Sequence, residues 1–298
     1  MPRPWAIALW CWPSVSSILY RGCAIPVAWV VLEAGRKHAW RREWLRMLRQ
    51  LKAAVPRDWT VIVLADRGLY ARWLFRRIVR LEWHPFLRIN NGGTFRPEGS
   101  SLYRPLTSLV PEVGTPWSGR GTAFKGRERQ LECTLLARWD AGHKDPWLIL
   151  TDLPPEASDA CWYGLRAWIE QGFKVIKRAG WQWQWTRMSD PARASRLWLA
   201  VAVATLWLLS VGGEADEDVP VGTLEEVTAL CLSKRRSCRE TRLRLVSVFR
   251  RGWIRLLVAL IRHEPLPEGR FVPEAWPRAP EAREEAVIKA DEGLPKAA

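Results

Sequence analysis

Residues 61–66, VIVLAD, form a short continuous apolar run that ends abruptly on an acid. Such a run is typical of a β-strand buried on both faces, and strands of this kind occur in sheets that helices cover. PWLILTDL at 146–153 has the same character. Apolar residues at helical spacing over 38–54 and 69–83 supply covering helices. The chain is therefore predicted to fold as a mixed α/β layer structure.

Shifts in composition divide the chain into five segments. Ahead of the buried strand, Val15–Tyr20 and Val27–Leu32 are predicted to be strands joined by a turn at Arg21-Gly22. Short strand-like pieces punctuated by Gly, Pro, Ser and Asn come later, and NNGG at 90–93 is predicted to be a hairpin turn. The predicted segments are the first part of the core (1–83), a β-rich insertion (84–145), the second part of the core with an apolar helix at 192–211 (146–211), an acidic break and basic helical segment (212–263) and a disordered tail (264–298).

The charge balance predicts a polyanionic partner. The chain carries 46 Lys+Arg against 31 Asp+Glu, a net charge of +15, and nucleic acid is the commonest partner of such a surface. Residues 234–262 contain ten basic residues and one acid, so we expect this segment to contribute affinity for DNA.

Several classes of protein are disfavoured. The six cysteines include no C-x-x-C pair and the four histidines are scattered, which disfavours a zinc site and indicates reduced cytosolic thiols. The apolar run 197–211 is too short to span a bilayer comfortably, so we expect a core helix and a soluble protein. Phosphate-loop, serine-hydrolase-elbow and zinc-protease motifs are missing from the sequence.

The segment 163–177, YGLRAWIEQGFKVIK, has two unlike faces if it forms one unbroken helix. At 100° per residue, Tyr163, Arg166, Glu170 and Lys177 share a stripe about 60° wide, opposite an apolar face. A solvated helix face is the commoner explanation of such a stripe. A working surface is the alternative, because the stripe mixes a phenol, a carboxylate and two cations.

Two acids are candidates for metal chemistry. Asp66 lies at the carboxyl end of a buried strand, where open α/β sheets place functional groups, although it is as readily explained as a cap on the next helix. Glu170, expected to point inward, is the natural second carboxylate. Carboxylates brought together suit Mg²⁺, and paired metals activate a nucleophile for in-line attack on a phosphodiester. Arg166 and Lys177 would then meet phosphates.

These residues resemble a known family. The spacing Tyr163-x2-Arg166-x3-Glu170-x6-Lys177 is similar to the Y-x2-R-x3-E-x6-K signature of DDE transposases of the insertion-sequence-4 type. ADRG at 65–68 resembles that family's second-aspartate strand, and YRGCAIPVAW at 20–29 its second and third strands. The resemblance implies an α/β fold with a ribonuclease-H-like mixed sheet, flanked by helices and carrying a β-rich insertion.

The resemblance also implies a function and its residues. Asp66 and Glu170 would be catalytic and would bind Mg²⁺, with Mn²⁺ as a substitute. Tyr163, Arg166 and Lys177 would bind DNA. The implied activity is DNA transposition by phosphodiester hydrolysis and strand transfer. The implied partners are transposon terminal inverted repeats, target DNA and a second copy of the chain in a synaptic complex, with no membrane, in a cytoplasmic, nucleoid-associated setting.

One feature departs from the family. Its first aspartate belongs on the first core strand, just upstream of Val15, where this chain reads AIALWCWPS and has no Asp before Asp58. We therefore expect an incomplete first strand, no N-terminal DNA-binding region, and a truncated copy, a decayed gene or a misplaced start. The alternative function is a catalytically inactive DNA-binding remnant that dimerises with or inhibits an intact transposase.

Overall fold

The computed structural model describes residues 6–12, 15–31, 40–216 and 246–272. In these residues one ten-stranded mixed sheet carries helices on both faces, which confirms the predicted α/β architecture. The strands are β1 (Ala6–Trp12), β2 (Val15–Tyr20), β3 (Cys23–Trp29), β4 (Thr60–Ala65), β5 (His84–Arg88), β6 (Thr94–Pro97), β7 (Arg104–Pro105), β8 (Trp117–Ala123), β9 (Leu131–Arg138) and β10 (Trp147–Thr151). The helices are α1 (Trp40–Ala54), α2 (Arg72–Val79), α3 (Arg166–Lys174), α4 (Pro191–Glu214) and α5 (Val248–Ile261).

Five neighbouring strands form one end of the sheet in the order β3-β2-β1-β4-β5. β1, β4 and β5 are parallel, whereas β2 is antiparallel to both β1 and β3. β4 lies inside the sheet, and Val61, Val63 and Ala65 have no exposed surface. The apolar run of the sequence thus becomes a strand buried on both faces, as predicted.

The two faces of β4 belong to two separate cores. Val61, Val63 and Ala65 pack with the apolar sides of α1 and α2. Ile62 and Leu64 point to the other face, where they share a core with Trp168 and Ile169 of α3 and with the segment before that helix. Because side chains alternate along a strand, Asp66 follows Ile62 and Leu64 toward the α3 face.

The strands before β4 differ in part from expectation. β2 has the predicted bounds, but β3 begins at Cys23 rather than Val27. Arg21 and Gly22 both adopt positive φ, 42° and 82°, so a two-residue turn pairs Tyr20 directly with Cys23. We expected the first strand to be incomplete, whereas the described chain has a seven-residue β1 that pairs with β2 and β4.

The β-rich region extends the sheet beyond the central strands. β10 pairs antiparallel with β5 and with β9, and β8, β6 and β7 complete the order. The predicted hairpin turn at 90–93 is wrong, because β10, β9 and β8 lie between β5 and β6 in the sheet. β10 arrives from beyond the insertion and takes the place beside β5, a long-range pairing that a local turn motif cannot reveal.

α4 and α5 pack against each other beside the β2–β3 hairpin. The two helices approach closely at Gly212 and Gly252, where a Cβ would overlap backbone atoms of the other helix. A buried ion pair joins the hairpin to the end of α4, since Arg21 Nη1 lies 3.3 Å from Asp216 Oδ2. The acidic break beyond residue 216, residues 234–245 of the basic segment and the tail beyond residue 272 lie outside the described residues.

α4 exceeds the predicted helix 192–211 by one residue at its start and three at its end, and Asp190 Oδ1 caps its start by accepting from the Arg193 backbone N–H. In the described part of the chain it alone is long and apolar enough to cross a membrane, by length and composition only. However, 44% of the most apolar stretch of α4 is buried against the rest of the fold, and the core helix of a soluble protein can be as long and as apolar, so the length and composition of α4 are weak evidence for a membrane span.

Candidate functional site

Asp66 sits in a tight turn directly after β4. Its Oδ1 accepts hydrogen bonds from the backbone N–H groups of Gly68, at 3.0 Å, and Leu69, at 3.2 Å. A Cβ at position 68 would lie 3.3 Å from that oxygen, so glycine leaves room for the close contact. Oδ2 makes no hydrogen bond within the described part of the chain and remains available to a ligand. One carboxylate therefore closes the turn with one oxygen and presents the other.

Tyr163 lies in the buried core next to this turn. Its side chain is 1% exposed, and its ring contacts Trp147 edge-on with 5.3 Å between centroids. The guanidinium of Arg88, the last residue of β5, lies 5.7 Å from the centre of the tyrosine ring. Since β5 is the parallel neighbour of β4 and Ala65 pairs with Leu87, Arg88 and Asp66 lie next to each other at the carboxyl ends of these two strands.

The pKa of the Tyr163 hydroxyl is shifted by burial and by three nearby charged side chains. Burial raises the pKa of the hydroxyl to about 12, Arg166 and Arg88 act to lower this pKa, and Asp66 acts to raise it. Two cations and one carboxylate therefore lie within electrostatic range of one buried phenol. This grouping joins the end of β4, the end of β5 and the start of α3.

The segment 163–177 is not one α-helix. A 3₁₀ segment runs over Ala160–Leu165, α3 over Arg166–Lys174, and a π-helical turn over Val175–Ala179. The stripe calculated for an unbroken helix is therefore wrong, because each helix type turns by a different angle per residue. The expected apolar face is largely confirmed, since Trp168, Ile169 and Ile176 are buried.

The polar residues of this segment differ in how far they are buried. Tyr163 is in the core, whereas Glu170 and Lys177 are exposed. Glu170 does not point inward as expected, because its side chain is 52% exposed and forms an ion pair with Arg166 at 2.9 Å. The Nζ of Lys177 lies 5.9 Å from the centre of the Phe173 ring. The Arg166–Glu170 pair is what a solvated helix face also forms, so it does not distinguish the two explanations of the stripe.

The donors expected to bind metal form an incomplete set. Among the described residues, no group of three or more Asp, Glu, His or Cys side chains is placed to hold a metal ion. On β1, Cys11 pairs with Ala65, so position 12 stands level with Asp66, and that position is Trp12. Asp66 and Glu170 are carboxylates of the type that Mg²⁺ prefers. β1, the strand next to β4, contributes no carboxylate level with Asp66.

Comparison with known proteins identifies the family. The family model of the transposase DDE domain matches residues 17–207. The chain belongs to the DDE transposase family. No curated protein matches it. Members of the family are typically enzymes of DNA transposition that bind DNA and generally use divalent metals.

The matched region contains every candidate residue of this transposase domain. Asp66, Tyr163 and Arg166 come together around one edge of the sheet, while Glu170 and Lys177 lie on the exposed side of the helical segment that begins there. Sequence reasoning missed Arg88. Its position in HPFLR, two residues after the buried Phe86 on the same face of a strand, was the available signal.

Proposed function

We propose that this chain belongs to the insertion-sequence-4 type of DDE transposases, has a ribonuclease-H-like core, and takes part in DNA transposition by binding transposon ends. The observation that carries the proposal is the grouping of Asp66, Arg88 and Arg166 around Tyr163 at one edge of the sheet. The strand order β3-β2-β1-β4-β5, with β1, β4 and β5 parallel, supports the core assignment. The tyrosine–arginine–glutamate–lysine spacing supports the subtype.

Arg88, Arg166 and Lys177 contact the phosphates of a DNA end in this proposal. A planar guanidinium donates two parallel hydrogen bonds to one phosphate, which fixes its position as well as attracting it. Arg166 must leave Glu170 to do so. That exchange costs little, because an exposed i,i+4 pair contributes only about 0.3–0.5 kcal/mol.

Tyr163 acts on DNA indirectly. Its side chain, including the hydroxyl, offers almost no surface in this conformation. It supports the Arg88 guanidinium across the face of its ring, and a desolvated cation–π contact of this kind contributes about 1–2 kcal/mol. The expected contact of Tyr163 with DNA is therefore replaced in our proposal by positioning of Arg88.

A divalent ion would be held by the free oxygen of Asp66 and by Glu170 after its separation from Arg166. Bound Mg²⁺ or Mn²⁺ would supply Lewis-acid activation of a phosphodiester. The residues present do not complete the set that paired metals require, because β1 offers Trp12 beside Asp66. We derive no cleavage step through the metal for this polypeptide.

The second candidate function follows from the missing carboxylate on β1. A chain that binds DNA but lacks the first acid would be a catalytically weak remnant that competes with an intact transposase for its DNA ends, or pairs with it. The identity of the residue beside Asp66 favours this candidate for the polypeptide. Both candidates place the chain on cytoplasmic, nucleoid-associated DNA, and both accommodate a homodimer on paired terminal repeats.

A nicking assay separates the two candidates. The purified chain is incubated with labelled duplexes from the DNA flanking its own gene, with Mg²⁺ or Mn²⁺, beside an Asp66→Ala control. We expect binding without nicking above the control. Nicking at a repeat end by the unmodified chain alone would refute the remnant and establish the enzyme.

Binding is tested separately at the site itself. Arg166→Gln with Lys177→Gln is compared with Arg57→Gln with Arg104→Gln, an equal change of charge on exposed arginines elsewhere. The first pair is expected to weaken binding and to lower the salt slope by about 1.8, because each phosphate contact contributes about 0.9. Equal slopes for both pairs would exclude the proposed site.

A further inference from the structure

A cleft between α1 and α2 is lined almost entirely by arginine. It has a volume of about 590 Å³, and six guanidinium groups surround it, with Leu45 and Trp73 as its apolar part. The six are Arg41, Arg49, Arg72, Arg76, Arg77 and Arg80. Arg72, Arg76 and Arg80 also border an adjoining depression, which adds Arg127. The proposed function does not use this concentration of positive charge on one surface.

Two carboxylates, those of Glu128 and Glu132, border the adjoining depression, but no ion pair joins either of them to the six arginines. Within the described residues no carboxylate forms a salt bridge with any of the six, whereas Arg46 on the same helix pairs with Glu43 at 2.8 Å. Arg76 and Arg80 are exposed. Like charges four residues apart on a helix destabilise it by a few tenths of a kcal/mol per pair. The row Arg72, Arg76, Arg80 therefore opposes helix stability unless an anion lies against it.

The spacing of the row suits a linear polyanion rather than a small one. Residues 72 and 80 are separated by about 12 Å along the helix axis, at 1.5 Å per residue. One strand of duplex DNA carries a phosphate about every 3.4 Å of axis, so the row spans three to four phosphates. A single small anion would engage one or two of these guanidinium groups and leave the others uncompensated.

The cleft and the candidate catalytic site lie on opposite faces of the sheet. α1 and α2 pack on the face that carries Val61, Val63 and Ala65. Tyr163 and α3 pack on the face that carries Ile62 and Leu64. A duplex held against the cleft is therefore a different stretch of DNA from one whose phosphates meet Arg88 and Arg166.

We propose that the arginine cleft between α1 and α2 binds the phosphate backbone of a second stretch of duplex DNA, without reading its sequence. Guanidinium groups donate bidentate hydrogen bonds to phosphate, and the apolar Trp73 ring supports Arg41, whose Cζ lies 5.6 Å from the ring centre. The choice of DNA rests on membership of the transposase family. The site itself does not rest on the geometry around Asp66.

The test compares three double variants of equal charge on a random-sequence duplex of 30 base pairs. Arg76→Gln with Arg80→Gln alters the cleft, Arg166→Gln with Lys177→Gln alters the candidate site, and Arg57→Gln with Arg104→Gln is the matched control. Thermal melting of each protein confirms that it folds. We expect the cleft pair to weaken binding roughly 60-fold at 0.1 M salt relative to the control, and to reduce the salt slope by about 1.8.

Each outcome decides something. A cleft pair that binds with the affinity and slope of the control overturns the proposal, whatever the candidate-site pair does. If only the candidate-site pair loses affinity for DNA, the proposed function is supported and the cleft is rejected. If only the cleft pair loses affinity, the cleft is supported and the candidate site is rejected. The same variants are also measured on a duplex RNA of equal length. If the cleft pair loses affinity for duplex RNA but not for duplex DNA, DNA is rejected as the ligand.

Discussion

Substitution of Asp66 separates its structural role from its chemical role. Asp66→Ala removes the oxygen that accepts from Gly68 and Leu69. The backbone N–H of Leu69 also reaches the Asp66 carbonyl oxygen at 3.1 Å, so only the Gly68 N–H loses its sole protein partner. That bond is exposed and water replaces part of it, so the expected loss of unfolding free energy is about 1–2 kcal/mol, as for a lost helix cap.

Asp66→Asn keeps an oxygen in the same place and removes the charge. Neutral acceptors form weaker hydrogen bonds than carboxylates, so the expected loss is below about 1 kcal/mol. With the amide oxygen kept on the Gly68 and Leu69 N–H groups, the position of the free carboxylate oxygen becomes an NH2 group, which does not bind a cation. Urea denaturation measures the first effect, and calorimetric titration with Mn²⁺ measures the second. We expect Asp66→Asn to resemble the unmodified chain in stability and Asp66→Ala in metal binding.

Two results would refute this reasoning. If Asp66→Asn is as unstable as Asp66→Ala, attraction of the carboxylate to Arg88 and Arg166 holds the turn, and the hydrogen bonds do not. If Asp66→Asn binds Mn²⁺ as tightly as the unmodified chain, Asp66 is not a metal ligand. The turn would then be its whole function.

Three further predictions concern other residues. Asp216→Ala leaves the buried Arg21 guanidinium, 4% exposed, without its carboxylate and is expected to cost about 3–5 kcal/mol of unfolding free energy in urea. Tyr163 has a folded pKa of about 12 against 10.0 unfolded, so its contribution to stability is complete below pH 10 and is lost as pH rises through 12. Between pH 10 and pH 12 and above, the unfolding free energy of Tyr163→Phe, measured by urea denaturation, should therefore fall by about 2–3 kcal/mol less than that of the unmodified chain. Trp12→Asp supplies an acid beside Asp66 and should bind Mn²⁺ at least roughly tenfold more tightly by calorimetry.

Each of these has a matched control. Removal of the exposed Arg262–Glu264 pair should change stability by less than about 1 kcal/mol, and an equal effect there would contradict the importance of burial at Asp216. Unchanged alkaline behaviour in Tyr163→Phe would show that its hydroxyl does not titrate as described. Equal Mn²⁺ affinity of Trp12→Asp and Trp12→Asn would mean that position 12 does not face the site.

The parts of the fold that the sequence predicted well are those set by local pattern. β2, β4 and α1 have bounds within two residues of expectation, because apolar runs and helical spacing are properties of a short segment. The break of 163–177 into three helix types was not predictable in this way. The segment packs through contacts between residues far apart in the chain, Tyr163 with Arg88 and Gly172 with Ala24, which a local pattern does not contain.

The candidate site shows the same division. Asp66 was found because a strand end is visible in sequence, whereas Arg88 was missed because its proximity to Tyr163 depends on how β5 and β10 pair. The inward direction predicted for Glu170 was wrong because it assumed a helix phase that the 3₁₀ and π segments do not keep. The metal role of Glu170 stays a prediction.

The charges around Asp66 indicate which step would fail in this polypeptide. In the proposed function Arg88 and Arg166 contact phosphates, and release of Arg166 from Glu170 would cost only a few tenths of a kcal/mol. The residues that this proposal needs for DNA binding are therefore all present. Paired-metal cleavage needs the ions held in register, and misplacement of reacting groups by about 1 Å can lower a rate a hundredfold. With Trp12 beside Asp66, two carboxylates would have to hold both ions without a third ligand on β1. Binding should therefore survive where cutting does not, which is the behaviour of a competitor for transposon ends.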